Sequence, residues 1–151
     1  MINLKVSTKG RYGLRAIVDL AMNDKEGQVS LKSVAERQGI SENYLEQLFS
    51  SLKKSGLVKS IRGAQGGYML AKSADKITVG DVLRSLEGSL CPVDCMDLDL
   101  PAGCDRADTC VTAPVWAKLR DKINEVVDSF TIADLVLDFE NKTKNDYIYY
   151  I

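Results

Sequence analysis

The 151-residue chain contains no histidine, only three prolines, and no apolar run long enough for a membrane span. A spanning helix needs about 20 consecutive apolar residues. Without histidine, the commonest general base is absent, and so is the imidazole ligand of many zinc sites. The first nine residues also lack the apolar segment of a secretion signal. The composition therefore argues against a hydrolase or a membrane protein and predicts a cytoplasmic location.

Cysteine is scarce as well, and all four copies lie in one stretch, at Cys91, Cys95, Cys104 and Cys110. Grouped cysteines in a reducing cytoplasm are more often metal ligands or redox sensors than disulfides. Their spacing matches neither the paired C-x2-C of common zinc sites nor a ferredoxin run. The residues alone favour an iron–sulfur cluster, with zinc, a thiol redox switch and incidental cysteines as alternatives.

Charge is divided unevenly along the chain. Residues 1–72 contain 12 Lys and Arg against 6 Asp and Glu, whereas residues 73–151 contain 8 against 15. The overall charge of −1 therefore hides a basic first half and an acidic second half. This asymmetry indicates that the first half faces a polyanion such as nucleic acid, with ordinary solvated surface charge as the alternative.

Capping residues and apolar periodicity predict three helices in the basic half. The first helix follows Ser7, the second begins at Ser30 and stops at Gly39, and the third follows Ser41. Two helices joined by a short turn that contains glycine form the helix-turn-helix pattern. Alternating residues on both sides of a glycine-rich turn then predict a β-hairpin over 57–71, in the place of a wing.

The acidic half begins with a helix after Thr78 and continues into residues 89–111, which predict no regular element. From Thr112 the helical period resumes, with apolar positions at Val115, Leu119, Ile123, Val126 and Phe130. One such helix cannot bury its apolar face alone, so a homodimer is expected. A last helix follows Thr131, and the polar residues 141–145 predict a loose tail.

These elements predict a mainly α fold with a small β-hairpin wing. The domains are a winged helix-turn-helix unit at 1–86, a cysteine-rich sensing loop at 87–111, dimerisation helices at 112–140 and a C-terminal tail at 141–151.

Polar side chains on the outer face of the third helix suit base edges in the major groove. Arginine on a glycine-rich wing tip suits the minor groove, and the lysines and arginines around it suit phosphates. The candidate DNA contacts are Ser41, Asn43, Tyr44, Glu46, Gln47, Arg62, Gly63, Gln65, Lys9 and Arg11. Further candidates for phosphate contact are Arg15, Lys53, Lys54 and Lys59. A solvated helix face is the alternative for any one of them.

Four segments carry a family resemblance: residues 7–12 (STKGRY), 36–41 (ERQGIS), 44–48 (YLEQL) and 62–68 (RGAQGGY). In this order they resemble the Rrf-type winged-helix regulators, the family of the iron–sulfur regulator IscR, the nitric-oxide sensor NsrR and the cysteine-metabolism repressor CymR. The resemblance covers nearly the whole chain. It implies a homodimer on a palindromic double-stranded DNA operator, with the third helix in the major groove and the wing in the minor groove.

The resemblance also bears on the cysteines, because cluster-binding members carry three of them in this loop. By position Cys104 and Cys110 match two ligands, and Cys95 or Cys91 supplies the third. The sequence departs from those members in a longer spacing before Cys104 and in Ala113, where they place a ligating histidine. The implied cofactor is a 2Fe–2S cluster in preference to 4Fe–4S, with zinc less favoured. Cys91 is the preferred fourth ligand, ahead of a group from the partner chain or a loop carboxylate (Asp94, Asp97, Asp99, Asp105 or Asp108).

The implied function is a DNA-binding regulator of iron–sulfur assembly genes that acts as a repressor. One alternative comes from residues 147–151, which resemble the C-terminus of members that repress cysteine metabolism together with cysteine synthase; Tyr150 and Ile151 would bind that enzyme. Others are a thiol-redox or zinc-dependent regulator and, from another class, an iron–sulfur carrier or electron-transfer protein. No nucleophile–base pair or nucleotide fingerprint is present, so an enzyme is not expected.

Overall fold

The computed structural model describes residues 5–99 and 104–148. The helices and strands of this part are α1 (Thr8–Asn23), α2 (Leu31–Gln38), α3 (Glu42–Lys54), β1 (Val58–Ile61), β2 (Gly67–Leu70), α4 (Val79–Glu87), α5 (Ala113–Ser129) and α6 (Ile132–Ile148). Short 3-10 turns lie at Asp24–Glu26, Ala74–Lys76 and Asp94–Met96. The predicted fold class, mainly α with one hairpin, is confirmed. Within the described residues, no helix is long and apolar enough to cross a bilayer.

Hydroxyl side chains fix the start of the first four helices. Ser7, Ser30, Ser41 and Thr78 each accept a hydrogen bond from the backbone amide three residues further on. Such a cap supplies a partner for an amide that the helix itself leaves unpaired. The helix α2 ends at Gly39, whose φ of +65° is a left-handed conformation that glycine adopts at little cost. The predicted boundaries of the helix-turn-helix therefore follow from local chemistry.

The head, residues 5–87, is built around one apolar core. On α3 the side chains of Leu45, Leu48, Phe49 and Leu52 are all 0% exposed. Their spacing places them on one stripe, and burying each contributes about 1.5–3 kcal/mol. Because this stripe faces the core, the opposite face of α3 is held outward.

A buried carboxylate fastens α1 to the end of α2. Asp19 is 1% exposed and accepts hydrogen bonds from Arg37 Nη2 at 2.7 Å and from Gln38 Nε2 at 2.9 Å. An unpaired carboxylate in this position would be costly, and these donors satisfy it. The same hydrogen bond to Asp19 raises the pKa of Arg37. The network sets α2 against α1 and so fixes the base of the helix-turn-helix.

The hairpin is joined to the core through the edge of β2 that faces away from β1. Within the hairpin Val58 pairs with Leu70, and on the far side Tyr68 pairs with Val29 through bonds of 2.8 and 2.9 Å. A Cβ at Gly67 would overlap the Val29 carbonyl, so this close approach requires glycine. The wing therefore has a fixed orientation relative to α3.

The helices α5 and α6 extend the molecule beyond the head. Ile132, at the start of α6, is 0% exposed and completes the core, while the Val79 amide donates to the Phe130 carbonyl at 2.9 Å. In contrast, no residue of α5 is buried. Val115 and Val126 are 57% and 56% exposed, whereas Ile123 is half-buried, so most of the predicted apolar stripe has no cover within the described chain.

The polar stretch 141–145, expected to be loose, is helical, because α6 continues to Ile148. Polarity does not end a helix, and the sequence contains neither glycine nor proline after Pro114 to break this one. Lys142 forms an ion pair with Asp138 at 2.8 Å, and the Thr143 hydroxyl donates to the Phe139 carbonyl at 3.0 Å. These local contacts support the extra turns.

Candidate nucleic-acid interface and cysteine loop

The outer face of α3 presents a compact set of polar side chains. Asn43, Glu46 and Gln47 are exposed on its first two turns. The exposed Ser41 hydroxyl accepts the Tyr44 amide at 3.2 Å and so starts the helix, and its contact with DNA stays a prediction. Tyr44 is half-buried. The surface that can meet bases therefore centres on the amides and the carboxylate.

Two α1 residues support α3 and the turn before it from behind. The Tyr12 ring meets Tyr44 edge-on, with 6.3 Å between centroids. Arg15, an expected phosphate contact, lies 5.5 Å from the centre of the Tyr12 ring and donates to the Gln38 carbonyl at 2.8 Å. Arg15 thus braces the turn between α2 and α3. Tyr12 was not singled out from the sequence as a site residue. The signal that could have done so is an aromatic side chain on the first helix, where it can contact the third helix.

The wing tip is exposed and is held by one long-range hydrogen bond. Arg62, Gly63 and Gln65 are exposed, and Gly63 has a φ of +127° that favours glycine. Gln28 Nε2 donates to the Gln65 carbonyl at 2.7 Å. No pattern in the sequence marked Gln28, because its partner lies across the fold. The Gln65 carbonyl oxygen therefore has a hydrogen-bond partner, while the residue remains exposed.

The first turns of α1 add positive charge, since Lys9 and Arg11 are both exposed there. Just before them, the Ser7 backbone amide donates to the Glu87 carboxylate at 2.6 Å. Glu87, at the end of α4, was not singled out from the sequence. Together with α3 and the wing, this basic turn completes the predicted set of DNA contacts, all of which lie on the head.

The four cysteines are free thiols, with Cys91 and Cys110 half-buried and Cys95 and Cys104 exposed. Within residues 5–99 and 104–148, no three Cys, Asp or Glu side chains converge closely enough to hold a metal ion. As donors, however, thiolates on a partly exposed loop are of the kind that iron–sulfur clusters use. The residue types fit a cluster, and the loop must draw its thiols together to hold one.

Cys110, one of the predicted ligands, is in contact with the start of α5. The Thr112 hydroxyl lies 3.3 Å from its sulfur. This contact, followed by the backbone amides of Thr112 and Ala113, lowers the pKa of the Cys110 thiol. Since the thiolate is the form that binds metals, the local structure favours ligation at this position.

Two arginines hold the loop and α5 against the head. Arg120 Nη1 donates to the Met96 carbonyl at 2.8 Å. Arg84 on α4 binds both carboxylate oxygens of Asp128 on α5, each at 2.8 Å. This pairing raises the pKa of Arg84 and lowers that of Asp128. A Cβ at Gly80 would overlap Asp128 Oδ1, so glycine leaves room for the pair.

The two residues predicted to bind a partner enzyme, Tyr150 and Ile151, lie outside the described residues. Their role stays a prediction.

Comparison with known proteins bears on the whole chain. Residues 6–138 match the model of the Rrf2 family, described as an iron-dependent transcriptional regulator. The chain belongs to the Rrf2 family. It is 45% identical to the HTH-type transcriptional regulator CymR of Bacillus subtilis over 98% of this chain and 100% of that protein. It is also 43% identical to IscR of Pectobacterium carotovorum, over 88% of this chain and 79% of that one.

Solved structures of Rrf2 regulators have the same fold. IscR of T. potens superposes with a TM-score of 0.73 at 53% identity, covering 91% of this chain and 90% of the other. CymR of B. subtilis superposes with a TM-score of 0.70 at 48% identity, covering 87% and 95%. The predicted family is confirmed, and the chain is a DNA-binding transcriptional regulator rather than an enzyme.

Proposed function

We propose that this Rrf2 regulator is a homodimeric repressor that binds a palindromic operator and senses through an iron–sulfur cluster, controlling genes of iron–sulfur assembly. The observation that carries the proposal is the position of the cysteine loop. All four thiols lie between α4, the last helix of the head, and α5, the helix with the uncovered apolar stripe. The loop therefore lies between the proposed DNA contacts and the expected dimer contact, where a change in its conformation can affect both.

For DNA binding, α3 supplies base contacts through Asn43, Glu46 and Gln47, and the wing supplies Arg62 to the minor groove. The lysines and arginines around them neutralise phosphates, which gives affinity without sequence preference. Two copies related by twofold symmetry read two half-sites, so the operator is a palindrome.

DNA binding is tested by fluorescence anisotropy on a duplex that the wild-type protein selects from a random pool. Gln47→Ala should weaken binding by about 1–3 kcal/mol and relax the base preference at one position of each half-site. Lys9→Ala should weaken all sequences alike and reduce the salt dependence. Lys144→Ala, in the acidic half, is the charge-matched control. A wild-type protein that selects no duplex from the pool contradicts the proposal.

For sensing, Cys95, Cys104 and Cys110 provide three thiolates and Cys91 the fourth. When bound, the cluster supplies an iron- and redox-dependent link among these four side chains. Thr112 keeps Cys110 ready to ionise, and Arg120 holds the Met96 carbonyl of the same loop. Drawing the thiols together orders the loop against α4 and α5, and a coupling of about 1–3 kcal/mol to the head is enough for regulation.

Anaerobic purification followed by iron and sulfide assays, UV–visible spectra and EPR tests the cluster. One 2Fe–2S cluster per chain is expected, and each Cys→Ser variant should lose it, whereas Thr109→Ala, at an exposed loop position, should retain it as the control. An iron-free, colourless protein that binds its operator with full affinity contradicts cluster sensing. If oxidant alone then changes the affinity, the thiol-redox alternative applies.

A second candidate has its own support. The match to B. subtilis CymR spans the whole of that protein, whereas the match to P. carotovorum IscR spans 79% of it. We infer from this that the chain could instead repress cysteine metabolism with cysteine synthase, captured by Tyr150 and Ile151. Deleting Ile151 should abolish a pull-down of cysteine synthase, and no complex with the intact chain removes this candidate.

A further inference from the structure

Glu87 lies between the cysteine loop and the first turn of α1, residues 7–11. Its carboxylate accepts hydrogen bonds from the Ser7 amide, at 2.6 Å, and from the Ser7 hydroxyl. The same hydroxyl caps α1 by accepting the Gly10 amide at 3.3 Å. A Cβ at Gly10 would lie only 2.7 Å from Glu87 Oε1, so the contact depends on glycine there. Glu87 therefore fastens this turn to the end of α4.

That turn carries two of the proposed phosphate contacts. Lys9 and Arg11 flank Gly10, which is buried against α4 while both cations are exposed. A carboxylate at the start of a helix is also favourable, because it faces the unpaired amides and the positive end of the helix dipole. A displacement of Glu87 consequently moves Lys9 and Arg11 together.

On its other side Glu87 leads directly into the cysteine loop. Gly88 follows with a φ of +80°, and Cys91 comes soon after. A cavity of about 540 Å³ has walls from Lys9, Glu87, Cys91 and, on α5, Ile123. The DNA-contacting turn, the loop and the expected dimer helix thus share one cavity, and Glu87 lies where they meet.

We propose that Glu87 is a positioning residue that transmits the state of the cysteine loop to Lys9 and Arg11. The inference rests on the proposed DNA binding, and it does not depend on which metal or cluster the loop holds. Displacing the loop at Cys91 shifts the end of α4 and weakens the Glu87–Ser7 hydrogen bonds. The first turn of α1 is then less well placed, and phosphates are bound less tightly.

The test uses the fact that the chain's four cysteines all lie in the loop. One variant retains only Cys91, which lines the cavity, and a matched variant retains only exposed Cys104, with serine at the other positions. Each is alkylated with N-ethylmaleimide, and its affinity for the selected duplex is measured. The adduct at Cys91 should weaken binding at least about fivefold, the lower end of usual coupling, and the adduct at Cys104 less than about twofold.

Substitution of Glu87 decides whether it carries this response. In the Cys91-only protein, Glu87→Ala should reduce the effect of the adduct to less than about twofold, and Ser7→Ala should reduce it in part. Glu26→Ala, at an exposed glutamate in the turn after α1, should leave it intact. Thermal unfolding confirms that each variant is folded. The inference is overturned if alkylation of Cys91 weakens duplex binding as much in the Glu87→Ala and Ser7→Ala variants as in the Cys91-only protein. It is also overturned if alkylation of Cys91 has no effect on duplex binding. Loss of DNA binding by the unmodified wild type overturns the proposed function instead.

Discussion

At the scale of single residues, carboxylates join helices that are distant in the chain, and their surroundings decide how much each contributes. Asp19 is buried and fully supplied with donors by Arg37 and Gln38. Asp128 is 45% exposed beside Arg84, which is 35% exposed. Solvent screens the second pair, so its role is to orient α5 on α4 more than to stabilise the fold.

Asp128→Asn provides a prediction with a defined pH dependence. The Arg84 guanidinium lowers the pKa of Asp128 in the folded chain, whereas the unfolded value is about 3.9. A lowered carboxyl pKa stabilises the fold above the unfolded pKa, and this stability is lost as pH falls through the folded pKa. The substitution should cost about 0.5–1 kcal/mol at pH 7.

Urea unfolding at several pH values measures this difference. The difference in the free energy of unfolding should shrink below about pH 4. It should vanish once Asp128 is protonated in both the folded and the unfolded wild-type chain. Asp138→Asn, in the exposed pair with Lys142, is the control, with a smaller cost expected. A cost that stays constant down to the lowest pH would show that Asp128 acts through packing and not through its charge.

At the scale of elements, the proposed DNA-binding surface consists of α3 and the wing, and different contacts hold each of them in place. The helix α3 is oriented by its own apolar stripe, which follows the helical period. The wing depends on distant partners, since its strand joins Val29 and its tip is held by Gln28. The wing is therefore the element whose placement a single polar substitution can loosen.

Gln28→Ala should weaken operator binding by about two- to fivefold, because the wing tip loses the hydrogen bond that holds it in place. The free energy of unfolding should change by less than about 0.5 kcal/mol, because Gln28 is exposed. Anisotropy and urea unfolding measure the two effects. Asn141→Ala, at an exposed amide on α6, is the matched control. Equal affinity of the Gln28 variant and the wild type would mean that the wing tip needs no such support.

At the scale of the whole molecule, charge and apolar surface are separated. The basic half forms the head, while α5 in the acidic half exposes Val115, Val126 and, just beyond its end, Phe130. An apolar stripe of this kind on a single helix needs a partner, and a second copy supplies an identical face. In the proposed dimer, two heads would meet the two half-sites of the operator.

Val126→Glu should convert the proposed dimer into a monomer, because it places a charge in the middle of the stripe. Sedimentation equilibrium measures the mass, and anisotropy should show operator affinity falling at least about 100-fold as the second half-site contact is lost. Lys118→Glu, at an exposed polar position of α5, should remain dimeric. A wild-type protein that is monomeric at micromolar concentration contradicts the dimer itself.

Helix boundaries and the winged helix-turn-helix were predictable because their causes are local. A serine caps the next turn, a glycine ends a helix, and an apolar stripe repeats every three or four residues. The helical tail after residue 140 does not follow from the polarity of its residues, because ion pairs and helix-forming residues also stabilise a helix on a polar surface.

The family and the order of helices and strands could be predicted from the amino-acid sequence, because each depends on neighbours within a few positions. The contacts that join these helices and strands across the fold could not be predicted in this way. Glu87 meets Ser7 across 80 residues, Arg84 meets Asp128 across 44, and Gln28 meets Gln65 across 37. Such pairs leave no periodic trace, since a hydrogen bond across the fold depends on where the chain returns and not on spacing along it.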